Sequence, residues 1–180
     1  MDLVSITSRM PRAGETLQAN SFSAGYGGKG ANQAVACARL LRNAHGEPAK
    51  DGIRVRMHGA VGSGDALGSS GYVEYLSKEG IDVTGITRKT GVPTGTAVII
   101  VEEDSGENRI LITPGANGEV HASDIKLDES PGGFVLFQME IPLETVCIQT
   151  TNKSTRDIIL TTIHDRQSNP SAEQSPWERR

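Results

Sequence analysis

The sequence predicts an α/β fold in which a parallel sheet carries helices on both faces, together with a second unit built of β-strands. The main observation is that amphipathic helical segments alternate with apolar segments of strand length between residues 31 and 139. Such alternation is typical of parallel sheets whose crossover connections are helices. The other observation is a polar turn, residues 104–107 with a glycine at 106, between two strand-like segments. This turn predicts a β-hairpin outside the alternating part.

The first helix is predicted directly after a cluster of glycines. Apolar residues recur there at helical spacing, at Ala31, Ala34, Val35, Ala38 and Leu41. Cys37 and Leu40 extend this apolar face around the helix. We therefore expect the helix to be buried nearly all round.

Further elements of the sheet follow in chain order. Residues 54–61 predict a strand, residues 66–78 predict a helix that ends at Gly80, and residues 133–139 predict another apolar strand. The second unit contains three predicted strands, at residues 3–7, 96–103 and 108–113.

The composition excludes several classes of protein. Of the 180 residues, 36% are apolar, and the net charge of −4 provides no polybasic field for nucleic acid or a lipid surface. Small molecules or other proteins are therefore the expected partners. The sequence shows no signal peptide and no apolar run long enough for a membrane span, so we expect a cytoplasmic protein. Its two cysteines and four histidines do not group at metal-ligand spacing.

The most informative segment is residues 25–36, GYGGKGANQAVA, where four glycines surround one lysine at the start of the first helix. Glycines let a backbone approach a ligand closely, and the free N–H groups of a helix start favour oxygen-rich ligands. The segment therefore predicts a substrate-binding turn.

Three other interpretations of this turn compete with a substrate-binding role. Gly25, Gly27 and Gly30 satisfy the dinucleotide pattern G-x-G-x-x-G, but residues 20–24 are too polar for a buried first strand. A phosphate-binding P-loop requires Ser or Thr after the lysine, and Lys29 is followed by Gly30. The third is a glycine loop that only caps a helix.

Residues 27–36, GGKGANQAVA, with GET at residues 14–16, resemble the first signature of the ribokinase family, the PfkB-type carbohydrate kinases. Similar pieces follow in the family's order, at residues 62–68 (GSGDALG), 79–82 (EGID), 93–97 (PTGTA), 114–117 (PGAN) and 138–144 (QMEIPLE). The resemblance covers residues 1–147, apart from a polar insertion at residues 42–52.

The resemblance implies a ribokinase-like fold, here a partial doubly wound parallel sheet with helices on both faces plus a small β-lid. Residues 1–147 are the N-terminal part of that domain, with lid strands within residues 2–24 and 92–113. In the family such a lid closes over the sugar and pairs with the lid of a second subunit, so a homodimer is implied. A first, central strand would precede Met1. Residues 148–180 match nothing in the family, and their polar composition predicts disorder from Arg166 onward, with a short strand or helix at residues 157–164.

The resemblance also implies a set of sugar-binding residues: Asp2, Gly28, Lys29, Gly30, Asn32 and Glu140. For Glu140 its position is an independent reason, because open α/β sheets bind ligands beyond the carboxyl ends of their strands. Glu140 is equally suited to cap the helix after Pro142, and Asp2 to a frayed terminus. Asp65 is interpreted as a turn or cap residue, and the PGAN segment at residues 114–117 as either a turn or a loop that lines the ligand site.

The activity implied by the family is transfer of the γ-phosphoryl group of ATP to D-ribose, giving ribose 5-phosphate, with Mg²⁺ and a monovalent cation. The family's catalytic, ATP and cation sites lie in a C-terminal half that this chain does not match, so no residue is assigned to catalysis, cofactor or metal. Two alternatives are a sugar-binding or regulatory fragment without activity, and a non-functional product.

Overall fold

The computed structural model describes residues 1–42, 46–47, 53–64, 69–127, 133–151 and 157–161. Three sequence predictions lie outside these residues: the turn at Asp65, most of the insertion at residues 42–52, and the disorder from Arg166 onward. The strands are β1 (Asp2–Thr7), β2 (Ser21–Gly25), β3 (Arg56–Gly62), β4 (Asp82–Lys89), β5 (Thr96–Glu102), β6 (Asn108–Thr113), β7 (Phe134–Gln138) and β8 (Asp157–Thr161). The helices are α1 (Lys29–Leu40), α2 (Ser69–Lys78) and α3 (Leu143–Thr151), with short 3-10 helices at Gly115–Glu119 and Ala122–Asp124.

Four strands form a sheet of their own, in the order β2-β1-β5-β6. The pair β1 and β5 is parallel, and the two outer pairs are antiparallel. The predicted hairpin is confirmed, with Gly106 at φ 71° in the turn between β5 and β6. The segment around residues 20–24, which is too polar for a buried strand, forms β2, an exposed edge strand of this sheet. We call this sheet the lid sheet.

The alternating part of the chain forms parallel strand pairs, β3 with β4 and β7 with β8. In the described residues these are two separate ladders, and α1 packs across both of them. A methyl group placed on Gly30 in α1 would lie 3.4 Å from Cε of Met57 in β3 and 3.6 Å from Cγ of Gln138 in β7. The predicted α/β class with parallel strands is confirmed.

Both faces of the strands are covered, as the sequence predicts. Ala60 and Val61 are neighbours in β3, and their side chains point to opposite faces because successive strand residues alternate. Val61 is buried with the α1 face, Tyr72 and Leu76. Ala60 is buried on the other face, in a cluster with Ala116, Val120 and Ile125. The PGAN segment belongs to this second layer, because it contains the buried Ala116 and forms part of the 3-10 helix Gly115–Glu119.

The burial of α1 is narrower than predicted. Ala31, Ala34, Val35 and Ala38 are buried, but Leu40 is 84% exposed. The prediction that this helix is buried all round is therefore wrong. The reason is that α1 lies on the outside of the strands, so only the stripe that faces them loses its contact with water.

Two further boundaries differ from the prediction. The strand β4 was not predicted, although it pairs with β3 along most of its length. Helix α3 continues to Thr151, and β8 then pairs in parallel with β7, so regular structure extends beyond residue 147. For the segment that starts at residue 157, the strand is the correct one of the two predicted alternatives. In the described part of the chain, no helix is long and apolar enough to cross a membrane.

The end of β3 makes a close backbone contact with the segment that leads into the lid sheet. The N–H of Gly62 donates to Oγ1 of Thr94 over 3.0 Å, and both residues are buried. A Cβ atom on Gly62 would overlap the Val92 carbonyl oxygen and lie 2.6 Å from the Thr94 nitrogen. This contact ties the lid sheet to the parallel strands.

We expect Gly62→Ala to destabilise the protein, because the added methyl group meets backbone atoms that cannot rotate away. Overpacking of this kind costs about 1–3 kcal/mol, measured as a lower midpoint of thermal unfolding. Gly25→Ala is the matched control, since a Cβ there meets nothing within 4 Å. Equal midpoints for the two variants would contradict the proposed contact.

Candidate functional site

The glycine turn joins edge strand β2 to helix α1. Gly28 precedes α1 with φ 104°, in a region of backbone conformation that L side chains rarely adopt. Its carbonyl oxygen accepts the first helical hydrogen bond, from the N–H of Asn32 over 2.9 Å. Because the N-cap residue is a glycine, the turn itself supplies no side chain to cap the helix.

Asp2 lies against this turn. A Cβ atom on Gly27 would overlap the Asp2 carboxylate, so the absence of a side chain at Gly27 makes room for it. The start of β1 is held in place, because the Met1 ammonium donates to the carbonyl of Gly95 over 2.9 Å and the Met1 carbonyl accepts from Ala97 over 2.8 Å. The alternative of a frayed terminus at Asp2 is therefore wrong for this structure.

Glu140, directly after β7, caps helix α1. Its Oε2 accepts the backbone N–H of Lys29 over 2.9 Å, and its Oε1 lies 3.9 Å from Nζ of Lys29. A carboxylate is favoured here by the free N–H groups and the dipole of the helix start. The alternative that Glu140 caps the helix after Pro142 does not hold, because Glu140 caps α1 instead of α3. Both side chains of this pair keep access to solvent, at 42% for Lys29 and 30% for Glu140.

Tyr72 is the main residue of this site that the sequence analysis missed. It is buried in α2, and its hydroxyl donates to the carbonyl oxygen of Gly27. Burial raises the pKa of Tyr72, and the nearby carboxylates of Asp2 and Glu140 raise it further. The signal in the sequence was a pair of tyrosines at i and i+3 in α2 with a third tyrosine, Tyr26, inside the glycine turn.

The other predicted residues have different surroundings. Asn32 is exposed on the first turn of α1. The Cα of Gly30 faces the strands, so close helix packing explains its lack of a side chain. One turn further along α1, Oε1 of Gln33 accepts from Nε2 of Gln138 over 2.8 Å. This amide pair, also missed from sequence, links α1 to the end of β7 two residues before Glu140.

Glu15, in the upstream GET segment, lies in the loop between β1 and β2 and organises that loop. It accepts hydrogen bonds from the guanidinium of Arg9 and from the backbone N–H of Arg12. The bond from Arg9, followed by the bond from Arg12, lowers the pKa of Glu15 to about 2. These contacts give Glu15 a structural role in shaping the loop.

Together these contacts bring two carboxylates, one ammonium group and a glycine backbone to the start of α1. Asp2 arrives from the lid sheet, Lys29 from α1 and Glu140 from the end of β7. Such a set of donors and acceptors suits a ligand that is rich in hydroxyl groups. Among the described residues no three His, Cys, Asp or Glu side chains group closely enough to hold a metal ion.

The fold and this site define a class of protein. Residues 1–131 match the pfkB family of carbohydrate kinases, and the chain belongs to that family. Its curated relatives include ribokinases and deoxyribokinases. The ribokinase of Schizosaccharomyces pombe is 43% identical over 169 residues, which cover 88% of this chain and 49% of the relative.

Solved ribokinase structures share the fold. The ribokinase of Thermotoga maritima superimposes with a TM-score of 0.71 at 34% identity, covering 88% of this chain and 48% of that one. The ribokinase of Arabidopsis thaliana, solved with ribose and ATP, gives a TM-score of 0.61 at 29% identity, covering 82% of this chain and 45% of that one. This chain therefore spans about half the length of its relatives. The matched share of 88% is more than residues 1–147 contain, so the similarity extends beyond the predicted boundary.

The raised pKa of Tyr72 predicts a specific titration. The chain has three tyrosines, and one of them should ionise well above the ordinary value of about 10. The free energy of unfolding should fall as the pH rises above about 10, because the unfolded tyrosine releases its proton before the folded one. Absorbance at 295 nm follows ionisation, and Tyr72→Phe should remove the late step while Tyr75→Phe retains it. Loss of the late step in Tyr75→Phe alone would contradict the assignment.

Proposed function

We propose that this chain is the sugar-binding part of a ribokinase-like carbohydrate kinase that phosphorylates D-ribose to ribose 5-phosphate with ATP. The observation that carries the proposal is the convergence of Asp2, Lys29 and Glu140 at the start of α1. The relative from Arabidopsis thaliana, solved with ribose and ATP, supports the same ligand here.

The geometry explains how the site would hold a sugar. Glu140 uses Oε2 to cap α1, which fixes the carboxylate and leaves Oε1 to accept from a sugar hydroxyl. The 3.9 Å between Oε1 and Nζ of Lys29 is longer than a hydrogen bond, so a hydroxyl group can bind to both. Asp2 supplies a second acceptor from the lid side. Charged groups held in this way bind more tightly than mobile ones because less conformational entropy is lost on binding.

ATP, Mg²⁺ and a monovalent cation belong to the same proposal. ATP would supply the phosphoryl group, and solved ribokinase relatives contain ADP or ATP. The part assigned to the residues described is to bind the sugar and to orient the hydroxyl that is phosphorylated, which is a substantial share of the catalytic effect in phosphoryl transfer. A cytoplasmic location is also part of this proposal.

We expect Lys29→Ala and Glu140→Ala each to weaken the binding of D-ribose. Each removes a charged hydrogen-bonding group, a loss typically of about 1.5–3 kcal/mol, and calorimetric titration measures the change. Glu74→Ala is the control, because Glu74 pairs with Lys78 on the exposed side of α2, away from the site. An unchanged ribose affinity in both site variants would overturn the assignment.

Turnover distinguishes the kinase from the alternative of a sugar-binding fragment. The alternative arises because this chain spans about half the length of its relatives. Release of ADP from ATP in the presence of ribose, Mg²⁺ and potassium, at a rate above that of the Lys29→Ala variant, would establish the kinase. Ribose binding without release of ADP would support the sugar-binding fragment.

The homodimer is a further part of the proposal. Ile110 and Ile112 are exposed on one face of the lid sheet, and the other face exposes three apolar side chains from three strands, Phe22, Val98 and Leu111. Their pairing registers put them on the face opposite to Asp2, because paired residues share a face and neighbours along a strand alternate. A second lid sheet would remove this surface from water.

We expect Leu111→Asp to convert the dimer to a monomer, because a carboxylate cannot be buried in an apolar interface without a large cost. Sedimentation equilibrium measures the change. Ser23→Asp adds the same charge to the other face of the lid sheet and should leave the dimer intact. Dissociation by Ser23→Asp instead would assign the interface to the opposite face.

A further inference from the structure

All three tyrosines of this chain meet at the glycine turn. The ring of Tyr26, inside the turn, stacks on Tyr72 with centroids 4.9 Å apart and an interplanar angle of 9°. It also stacks on Tyr75, at 5.2 Å and 27°. Opposite the ring of Tyr26, α2 has a glycine at 71, where a Cβ would lie 2.7 Å from the Tyr26 hydroxyl. Helix α2 is therefore shaped to receive the turn.

Only one of these tyrosines bonds directly to the turn backbone, among the hydrogen bonds of the described residues. The Tyr72 hydroxyl donates to the carbonyl oxygen of Gly27, and both groups are buried. In a trans peptide the carbonyl of one residue and the N–H of the next point in opposite directions. Fixing the Gly27 carbonyl towards α2 therefore turns the Gly28 N–H away from α2.

Glycine makes this restraint necessary. Gly27 and Gly28 have no side chains, and a glycine pair has more accessible backbone conformations than any other pair. Without an external bond, the peptide between them is free to rotate between orientations of similar energy. The hydrogen bond from Tyr72 selects one of them before any ligand binds, which lowers the entropy that binding must overcome.

The electrostatic surroundings keep the phenol suitable for this task. Asp2 and Glu140 both lie close enough to disfavour a tyrosinate. An ordinary tyrosine is already protonated at neutral pH, and burial together with these carboxylates keeps Tyr72 protonated to still higher pH. Only the protonated form can donate to a carbonyl. The hydroxyl is a neutral donor that pairs with the Gly27 carbonyl, so it adds no cation beside the nearby Asp2 and Glu140 carboxylates.

We propose that Tyr72 is a positioning residue for the sugar site, which fixes the peptide between Gly27 and Gly28 so that the Gly28 N–H is presented to the ligand. The proposal rests on the proposed function, since it deepens the account of the same sugar site. It assigns α2 a role in binding although no residue of α2 was predicted to contact the sugar.

The test compares Tyr72→Phe with Tyr75→Phe in the full chain. Each variant removes one hydroxyl from the same aromatic cluster and retains the ring, but only the first removes the bond to Gly27. Three measurements are made: ribose affinity by calorimetry, the midpoint of thermal unfolding, and the amide resonance of Gly28 in protein labelled with ¹⁵N-glycine. The resonance reports on the peptide orientation without any ligand.

We expect Tyr72→Phe to weaken ribose binding roughly three- to tenfold, the loss typical of one neutral hydrogen bond, and to shift the Gly28 resonance. Tyr75→Phe should change neither. A Gly28 resonance that stays in place in Tyr72→Phe would overturn the proposal, as would equal loss of affinity in the two variants. If the unmodified chain does not bind ribose, the proposed function fails, while the resonance still decides whether Tyr72 orients the turn.

Discussion

The hydrogen bond from the Lys29 N–H to the Glu140 carboxylate is the contact on which the site depends. It joins residues 111 positions apart in the chain, at the start of α1 and the end of β7. The start of α1 offers free N–H groups that need acceptors, and the glycine turn before it supplies no side chain to satisfy them. Glu140, which is far away in the sequence, supplies the missing acceptor. The same bond fixes the carboxylate beside the Lys29 ammonium, so the stability of the helix start and the geometry of the candidate site have one cause.

The glycine turn connects three parts of the molecule. The lid sheet contributes Asp2 against Gly27, α2 contributes the Tyr72 hydroxyl, and α1 begins at the end of the turn. The missing side chains at Gly27 and Gly28 allow these contacts. A Cβ on Gly27 would overlap the Asp2 carboxylate, and Gly28 has a positive φ that other residues avoid. A glycine-rich segment is usually mobile, and here external contacts restrain it. Residues outside the turn therefore determine its backbone conformation.

Local patterns predicted several elements well. The repeat of alanine and valine in α1, the glycine turn between β5 and β6 and the apolar run of β7 each carry their signal within a dozen residues. The failures have physical reasons. Leu40 was expected to be buried because it is apolar, but its exposure depends on which side of α1 faces the strands. Strand β4 was missed because its sequence, DVTGITRK, contains polar residues and a glycine, and the pairing with β3 stabilises it. β-Structure depends on such partners more than helices do.

The family could be read from the sequence alone, because the glycine signature and its neighbouring motifs are local strings of residue types. The same motifs predict the candidate sugar-binding residues. The sequence also determined that Glu140 follows a strand, and therefore lies at the edge of a sheet where ligands bind. Three contacts could be seen only in the folded chain: Glu140 caps α1, Asp2 packs on Gly27, and Tyr72 bonds to the turn. These contacts join residues from different strands and helices, and spacing along the chain carries no information about which distant groups meet. The sequence specifies the chemical groups of the candidate site, whereas their mutual orientation arises only when the helices and strands pack together.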